Sequence, residues 1–361
     1  MIKPIIASCS IALTFMAGAF AMTEPQIVNT SSDTLMQKRI DSTTGFCGGD
    51  AAYSIPITPA RTVWLFGDSF VGTIKEGKRH NCQMIRNCVA IDNPLEPGSK
   101  LQYQCGTKSF FKAPGTEQEY LWPGDGTMID GKLYLFMHSV MDNKTLPAPY
   151  QFELKQNYLV VVQNPFASPS VWRYQTIDMG STKEMLAGTA CYQKGAYLYI
   201  YSSLPDKAEG NHKHPTALAR VSTSDLKDLD LSKMQWWQGK KWGEDRKEAA
   251  IVFDDGASEM SVVQPQGLKD LYAVYIPPDG QSINIRRASS PQGPWSAPGE
   301  LFKLPVGKDM LFYSAKVHPQ YKGKVPGQIK VTYNTNSTDF NRLLADSTIY
   351  FPKALSCTIK E

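Results

Sequence analysis

The stretch Thr62-Val63-Trp64-Leu65-Phe66-Gly67-Asp68 decides how the chain is read, because four stretches of the same make recur after it. They are Lys132-Leu133-Tyr134-Leu135-Phe136-Met137-His138, Ala196-Tyr197-Leu198-Tyr199-Ile200-Tyr201-Ser202, Asp270-Leu271-Tyr272-Ala273-Val274-Tyr275 and Gln328-Ile329-Lys330-Val331-Thr332-Tyr333-Asn334. Each is dense in aromatic and β-branched side chains, which suit a pleated surface. Most follow a turn signal (Asp130-Gly131, Lys194-Gly195, Gly327), and each is preceded by another strand-like stretch, such as Thr127-Met128-Ile129 or Met260-Ser261-Val262-Val263. The cores begin roughly 60 to 75 residues apart, enough for four strands and their loops. Several lead on to a strand that ends in a Ser/Pro-rich turn, as in residues 285–295. A β-sandwich also uses short strands, but five units with no linker-like break predict an all-β, five-bladed β-propeller, a single domain over residues 22–361. Helix signals are sparse, with short helices expected at residues 225–234 and 339–346.

The N-terminal residues suggest export. Lys3 is followed by an apolar or small-residue run to Phe20, and Ala19-Phe20-Ala21 is a small-x-small cleavage site. Residues 1–21 therefore read as a signal peptide, which predicts a secreted or periplasmic protein. The run is short for a membrane span, no cationic flank follows it, and no other stretch is long enough to cross a bilayer. Of seven cysteines, Cys9 lies in the leader; Cys47, Cys82, Cys88, Cys105, Cys191 and Cys357 remain. An even number in an oxidising compartment predicts disulfides, at least one of them local among Cys82, Cys88 and Cys105. No CxxC or HxxxH pair suggests zinc. The net charge of +4 is small and scattered, so nucleic acid is not an expected partner. The one basic run, 75–80, reads as a solvated loop.

In a propeller the first strand of each blade lines the central shaft, so acids just before those strands gather at its mouth. Asp50, Asp125, Glu184 and Glu259 occupy such places in four units, and the fifth offers His318 instead. Glycoside hydrolysis needs two carboxyl groups, one to protonate the leaving oxygen and one to act as base or nucleophile; a third separates their pKa values. The expected roles are base or nucleophile for Asp50, acid for Glu259 or Glu184, and substrate orientation for Asp125. Asp68, at the far end of the first core, reads as a rim acid that pairs with Arg61 or Arg86. Trp122, Trp236, Trp237 and Trp242 are candidates for stacking on sugar, whereas Trp64 and Trp295 read as packing residues. His318 is a candidate hydrogen-bond partner of a carboxylate, or ligand of a structural calcium or other cation in the shaft. No other cofactor is expected.

The segments 48–54 and 62–70 resemble the opening of the family known as domain of unknown function 4185. Ser258-Glu259-Met260-Ser261-Val262, Tyr313-Ser314-Ala315-Lys316-Val317-His318-Pro319 and Tyr333-Asn334-Thr335-Asn336 resemble later parts of it. That family is similar to five-bladed propeller glycosidases, the arabinanases and xylosidases, and includes endo-acting hydrolases of D-arabinan. The resemblance implies a site containing Asp50, Asp125, Glu259 and His318, with Asn334 among the substrate-binding residues. The expected function is a monomeric glycoside hydrolase acting on a furanoside-containing, arabinan-like polysaccharide. The alternatives are a non-catalytic, lectin-like or host-surface propeller, and a lyase or transferase using the same sugar site.

Overall fold

The computed structural model describes residues 22–147, 150–205, 213–278 and 280–360; the expected signal peptide lies outside them. Five antiparallel sheets follow one another along the chain. In each, the repeated core of the sequence is the second strand, and the strand-like stretch before it is the first. The first sheet runs Tyr53–Thr58, Arg61–Phe66, Cys88–Asp92, Gln102–Tyr103. The second runs Glu119–Ile129, Lys132–Asp142, Phe152–Val162, Tyr174–Ser181. The third opens with Leu186–Lys194, Tyr197–Ser203 and His214–Ser222, and then takes Gln235–Trp237 and Ile251–Gly256 against that third strand. The fourth runs Met260–Val263, Leu271–Tyr275, Ser282–Ala288, Gly299–Lys303. The fifth has Met310–Val317, Gln328–Ser337 and Lys353–Lys360, and its last strand comes from the other end of the chain: Gln26–Ser32 pairs antiparallel with Lys353–Lys360.

The second strands are buried on both faces, which is why they read as continuous apolar runs rather than as alternation. Their odd and even residues go to different cores. Val63 and Leu65 pack with Leu133, Leu135 and Val160 of the second sheet. Trp64 and Phe66 face the other way, onto Phe351, Ala354 and Tyr321 at the end of the chain. Tyr134 and Phe136 pack on Leu198 and Ile200 of the third sheet. Tyr201 and Leu218 meet Leu271 and Ala273 of the fourth. Tyr272 and Val274 meet Val331, Tyr333 and Leu355 of the fifth. Every sheet thus packs on the sheet before and the sheet after it, and the fifth packs on the first.

A three-stranded sheet, Thr44–Gly49, Ser69–Lys75 and Lys78–Ile85, stands beside the first sheet. It corrects the reading of residues 75–80 as a solvated loop. Arg79 is buried there, because its guanidinium donates to four carbonyl oxygens: Cys47 at 2.6 Å, Ile349 at 2.7 Å, Asp346 at 3.2 Å and Leu343. The expected helices are present as Thr223–Lys227 with a 3-10 turn at Leu231–Lys233, and as Phe340–Ala345 capped by Asp339. The helix Thr34–Ile40, capped by Asp33, was not anticipated. Cys88 and Cys105 form a disulfide, whereas Cys47, Cys82, Cys191 and Cys357 are thiols.

Candidate active site

The first strands of four of the five sheets are irregular within the strand or just before it. Ala51 and Ala52 take the left-handed conformation, with φ of 65° and 52°, between Asp50 and the first strand of sheet one. Ser314 does the same (φ 57°) at the bulge of Met310–Val317. Bulges also follow the pairs Gly126–Leu135 and Leu186–Ser203. Left-handed alanine and serine cost of order 1–3 kcal/mol each and persist only where the surroundings impose them. Bulges of this kind redirect side chains beside functional sites.

Oδ2 of Asp50 accepts hydrogen bonds from two tyrosine hydroxyls, Tyr313 at 2.8 Å and Tyr350 at 3.0 Å. Gly67 lies against its other oxygen, and a Cβ at Gly67 would stand 2.4 Å from Oδ1. Burial pushes the Asp50 carboxyl up to about 8, and the charges of Asp68 and Glu259 push the same way against the two tyrosine bonds. Glu259 presents Oε1 to the Ser314 hydroxyl at 3.0 Å and to Lys316 Nζ at 3.4 Å. Ser314 is shared, since its hydroxyl is also within 2.8 Å of the Ala51 carbonyl and accepts from Lys316 Nζ at 2.9 Å. Lys316 is 1% exposed, and its ammonium lies 4.2 Å over the ring of Tyr53. Burial lowers its pKa, while Glu259, Asp125 and Asp50 pull it back up.

Asp125 stands on the next sheet. Its carboxylate accepts from the amides of Gly126 and Cys191, both at 2.8 Å, which ties the second sheet to the third. Burial pushes it up to about 6 against those two bonds. Asp125 and Lys316 line a cavity of about 320 Å³, together with Tyr53, Ser54, Tyr192 and Gln264. Asp68 accepts from Arg86 at 3.0 Å and from the Trp122 indole at 2.8 Å, and burial raises its pKa. Of the two arginines proposed for it, Arg86 is the partner; Arg61 donates to the Ala167 carbonyl.

Residues 33–354 match one protein family along almost their whole length, the domain of unknown function DUF5005. The chain belongs to that family. The sequence motifs had resembled a differently numbered one, domain of unknown function 4185, which this match does not name. No curated protein matches the chain. Among solved structures, a candidate hydrolase of Bacteroides ovatus superposes with a TM-score of 0.72 at 18% identity, over 91% of this chain and 90% of that one. The GH43_1 enzyme of Xanthomonas citri gives 0.51 at 15% identity, over 90% and 92%. The RS223 β-xylosidase gives 0.50 at 12% identity, over 94% and 96%. At these identities the likeness is one of fold: the DUF5005 chain has the propeller-type fold of these proteins.

Not every residue picked from the sequence stands in the DUF5005 cluster. Glu184 sits in an exposed turn and pairs with Arg246. Among the described residues no contact joins it to Asp50, Asp125 or Glu259. The acidic register assumed for the third sheet fails because the Leu186–Ala190 bulge leaves Glu184 outside, in the turn Thr182–Glu184. Asn334 is fully buried, and its amide donates to the Gly49 carbonyl at 2.9 Å, so it holds the backbone before Asp50 instead of facing solvent. Trp122 is half-buried at the rim, edge-on to Phe152 at 4.7 Å. Trp64 and Trp295 are packing residues, as read, and Trp236 joins them in the core.

His318 is 0% exposed and stacks on Trp64 at 4.5 Å. Its Nδ1 lies 2.6 Å from the Ser54 hydroxyl and its Nε2 lies 2.8 Å from that of Thr332. Burial, with the Lys316 charge, lowers it to about 3, so it is a neutral imidazole. The residues there do not fit a structural cation: both ring nitrogens are engaged and an ammonium is close by. Among the described residues no group of three His, Cys, Asp or Glu side chains could hold a metal ion. Tyr313, Ser314, Lys316 and Tyr350 were missed as site residues. The first three lie beside His318 in the Tyr313–Pro319 motif, and Tyr350 carries no local signal.

Proposed function

We propose that this chain is an exported glycoside hydrolase, a five-bladed propeller formed by residues 22–361, with Asp50 and Glu259 as its acid–base pair. The observation that carries this reading is their convergence. Asp50, before the first sheet, accepts from Tyr313, and Glu259, before the fourth, accepts from Ser314, the adjacent residue of the fifth. The five successive packing interfaces, with the fifth sheet against the first, support the blade count.

Hydrolysis of a glycoside needs one carboxyl that holds a proton and one that does not. Asp50, pushed up to about 8, holds its proton at neutral pH. Glu259, 3.4 Å from Lys316 Nζ, takes the other role. This exchanges the roles expected from the sequence, where Asp50 was base or nucleophile and Glu259 or Glu184 acid. The exchange follows from surroundings that a linear motif does not contain. Asp125, anchored on two amides, is a fixed charge that orients substrate and biases its neighbours. Trp122, half-buried beside Asp68, supplies an apolar face at the rim.

The substrate class we propose is a neutral polysaccharide of pentose units, arabinan-like in the first instance. The family resemblance of the motifs supports it, as does the pentose ligand xylotriose bound to the structurally similar enzyme of Xanthomonas citri. The test is incubation with L-arabinan, D-arabinan, xylan and galactan, with products resolved by size. New reducing ends support the hydrolase. Unsaturated ends would indicate a lyase, and saturable binding of intact polymer a carbohydrate-binding propeller.

A further inference from the structure

Two of the thiols stand together on the sheet that carries the approach to Asp50. Cys47 is the fourth residue of Thr44–Gly49 and Cys82 the fifth of Lys78–Ile85. These strands are not neighbours, because Ser69–Lys75 runs between them. Side chains on the outer strands of three would ordinarily be kept apart by the middle one. Here the middle residue is Gly72, and the Cys82 sulfur occupies its side-chain space: a Cβ on Gly72 would meet that sulfur at 2.6 Å and the Cys82 Cα at 2.8 Å. Both ladders are irregular at this point, between Phe46 and Gly49 on one side and between Val71 and Thr73 on the other. Asn81 takes a left-handed φ of 50°, which folds Cys82 over the glycine. Cys47 is buried in a small cluster with Phe70, Leu343, Ile349 and Tyr350, and Cys82 packs against that same cluster.

We infer that Cys47 and Cys82 form a second disulfide, across the middle strand and over Gly72. Cys82 is half-buried and Cys47 fully buried, so the reaction has an order. The Cys82 thiolate attacks the disulfide of an oxidant, a protein disulfide oxidase or oxidised glutathione, and displaces one of its thiols. The Cys47 sulfur then displaces the other, forming the Cys47–Cys82 bond. The oxidant gains two electrons and leaves as two thiols carrying the two protons. The closed loop, residues 47–82, contains both Asp50 and Asp68. Its entry is also clamped by Arg79, which bonds the Cys47 carbonyl. The inference does not depend on the glycosidase reading.

The test is a thiol map of the full chain equilibrated with oxidised glutathione, alkylated without reduction and digested for mass spectrometry. Linked peptides joining Cys47 to Cys82, beside those joining Cys88 to Cys105, are expected. Reduction should lower the Tm by about 5 °C or more relative to the oxidised protein. A Cys47→Ser/Cys82→Ser double variant should lose the part of that shift owed to this bond, and Gly72→Ala should leave both cysteines alkylated in a folded chain. Singly alkylated Cys47 and Cys82 in the oxidised wild type, with Cys88–Cys105 intact, would overturn the inference. Linkage in Gly72→Ala equal to that of wild type would overturn the role given to Gly72.

Discussion

The hydroxyl of Tyr313 donates to Asp50 across 263 residues of sequence, at 2.8 Å. This bond joins the fifth sheet to the entrance of the first and puts the raised carboxyl next to Ser314, the partner of Glu259. With the pairing of Gln26–Ser32 on Lys353–Lys360, it makes the candidate site depend on both ends of the chain meeting.

Tyr313→Phe and Tyr350→Phe each remove a hydroxyl that favours the ionised form of Asp50. A hydrogen bond to a charged group contributes about 1.5–3 kcal/mol, so each change should raise the Asp50 pKa by about one unit or more. The basic limb of the pH–rate profile should move up accordingly, with the double variant moving furthest. A limb that stays in place in both would separate Asp50 from the observed ionisation.

Stability should depend on pH through Asp50. A carboxyl raised on folding binds its proton more tightly in the native than in the unfolded chain. Its contribution is full below the unfolded value of about 3.9 and is lost as pH rises through about 8. Asp50→Asn removes that loss. Thermal unfolding should therefore show the variant gaining on wild type between pH 5 and pH 8 (roughly the window those two values bracket). Parallel Tm curves for the two proteins would contradict the burial argument.

Lys316→Met keeps the stem of the side chain and deletes the cation beside Glu259. The variant should fold, because an unpaired methionine replaces a desolvated charge. Its kcat/KM should fall by about tenfold or more, roughly 1.4 kcal/mol of transition-state stabilisation. Unchanged turnover would remove Lys316 from the site's charge balance.

The architecture was largely legible in the sequence because both faces of the second strands are buried. Tyr134 and Leu135 serve different cores, so neither position tolerates polarity, and the repeat stands out. The placement of Asp50, Asp125 and Glu259 at the first strands of three sheets was legible too, since acids just before first strands have few places to point. Glu184 shows the limit of that rule: one bulge leaves an acid of the right spacing on an outer turn. The polarity of the acid–base pair was not legible, because Tyr313, Tyr350 and Asp68 reach Asp50 only after the sheets assemble. Lys316 was hidden for a related reason. A lysine in a strand usually faces water, and nothing local announces that Tyr53 and Glu259 will enclose it.

The most direct measurement is product release from the arabinan and xylan panel by wild type, Asp50→Asn and Glu259→Gln, each shown by circular dichroism to be folded. The account predicts fragments from wild type and a loss of about 10²- to 10⁴-fold in each variant, the range for removing a positioned acid or base. Fragments released at wild-type rates by either variant would contradict it.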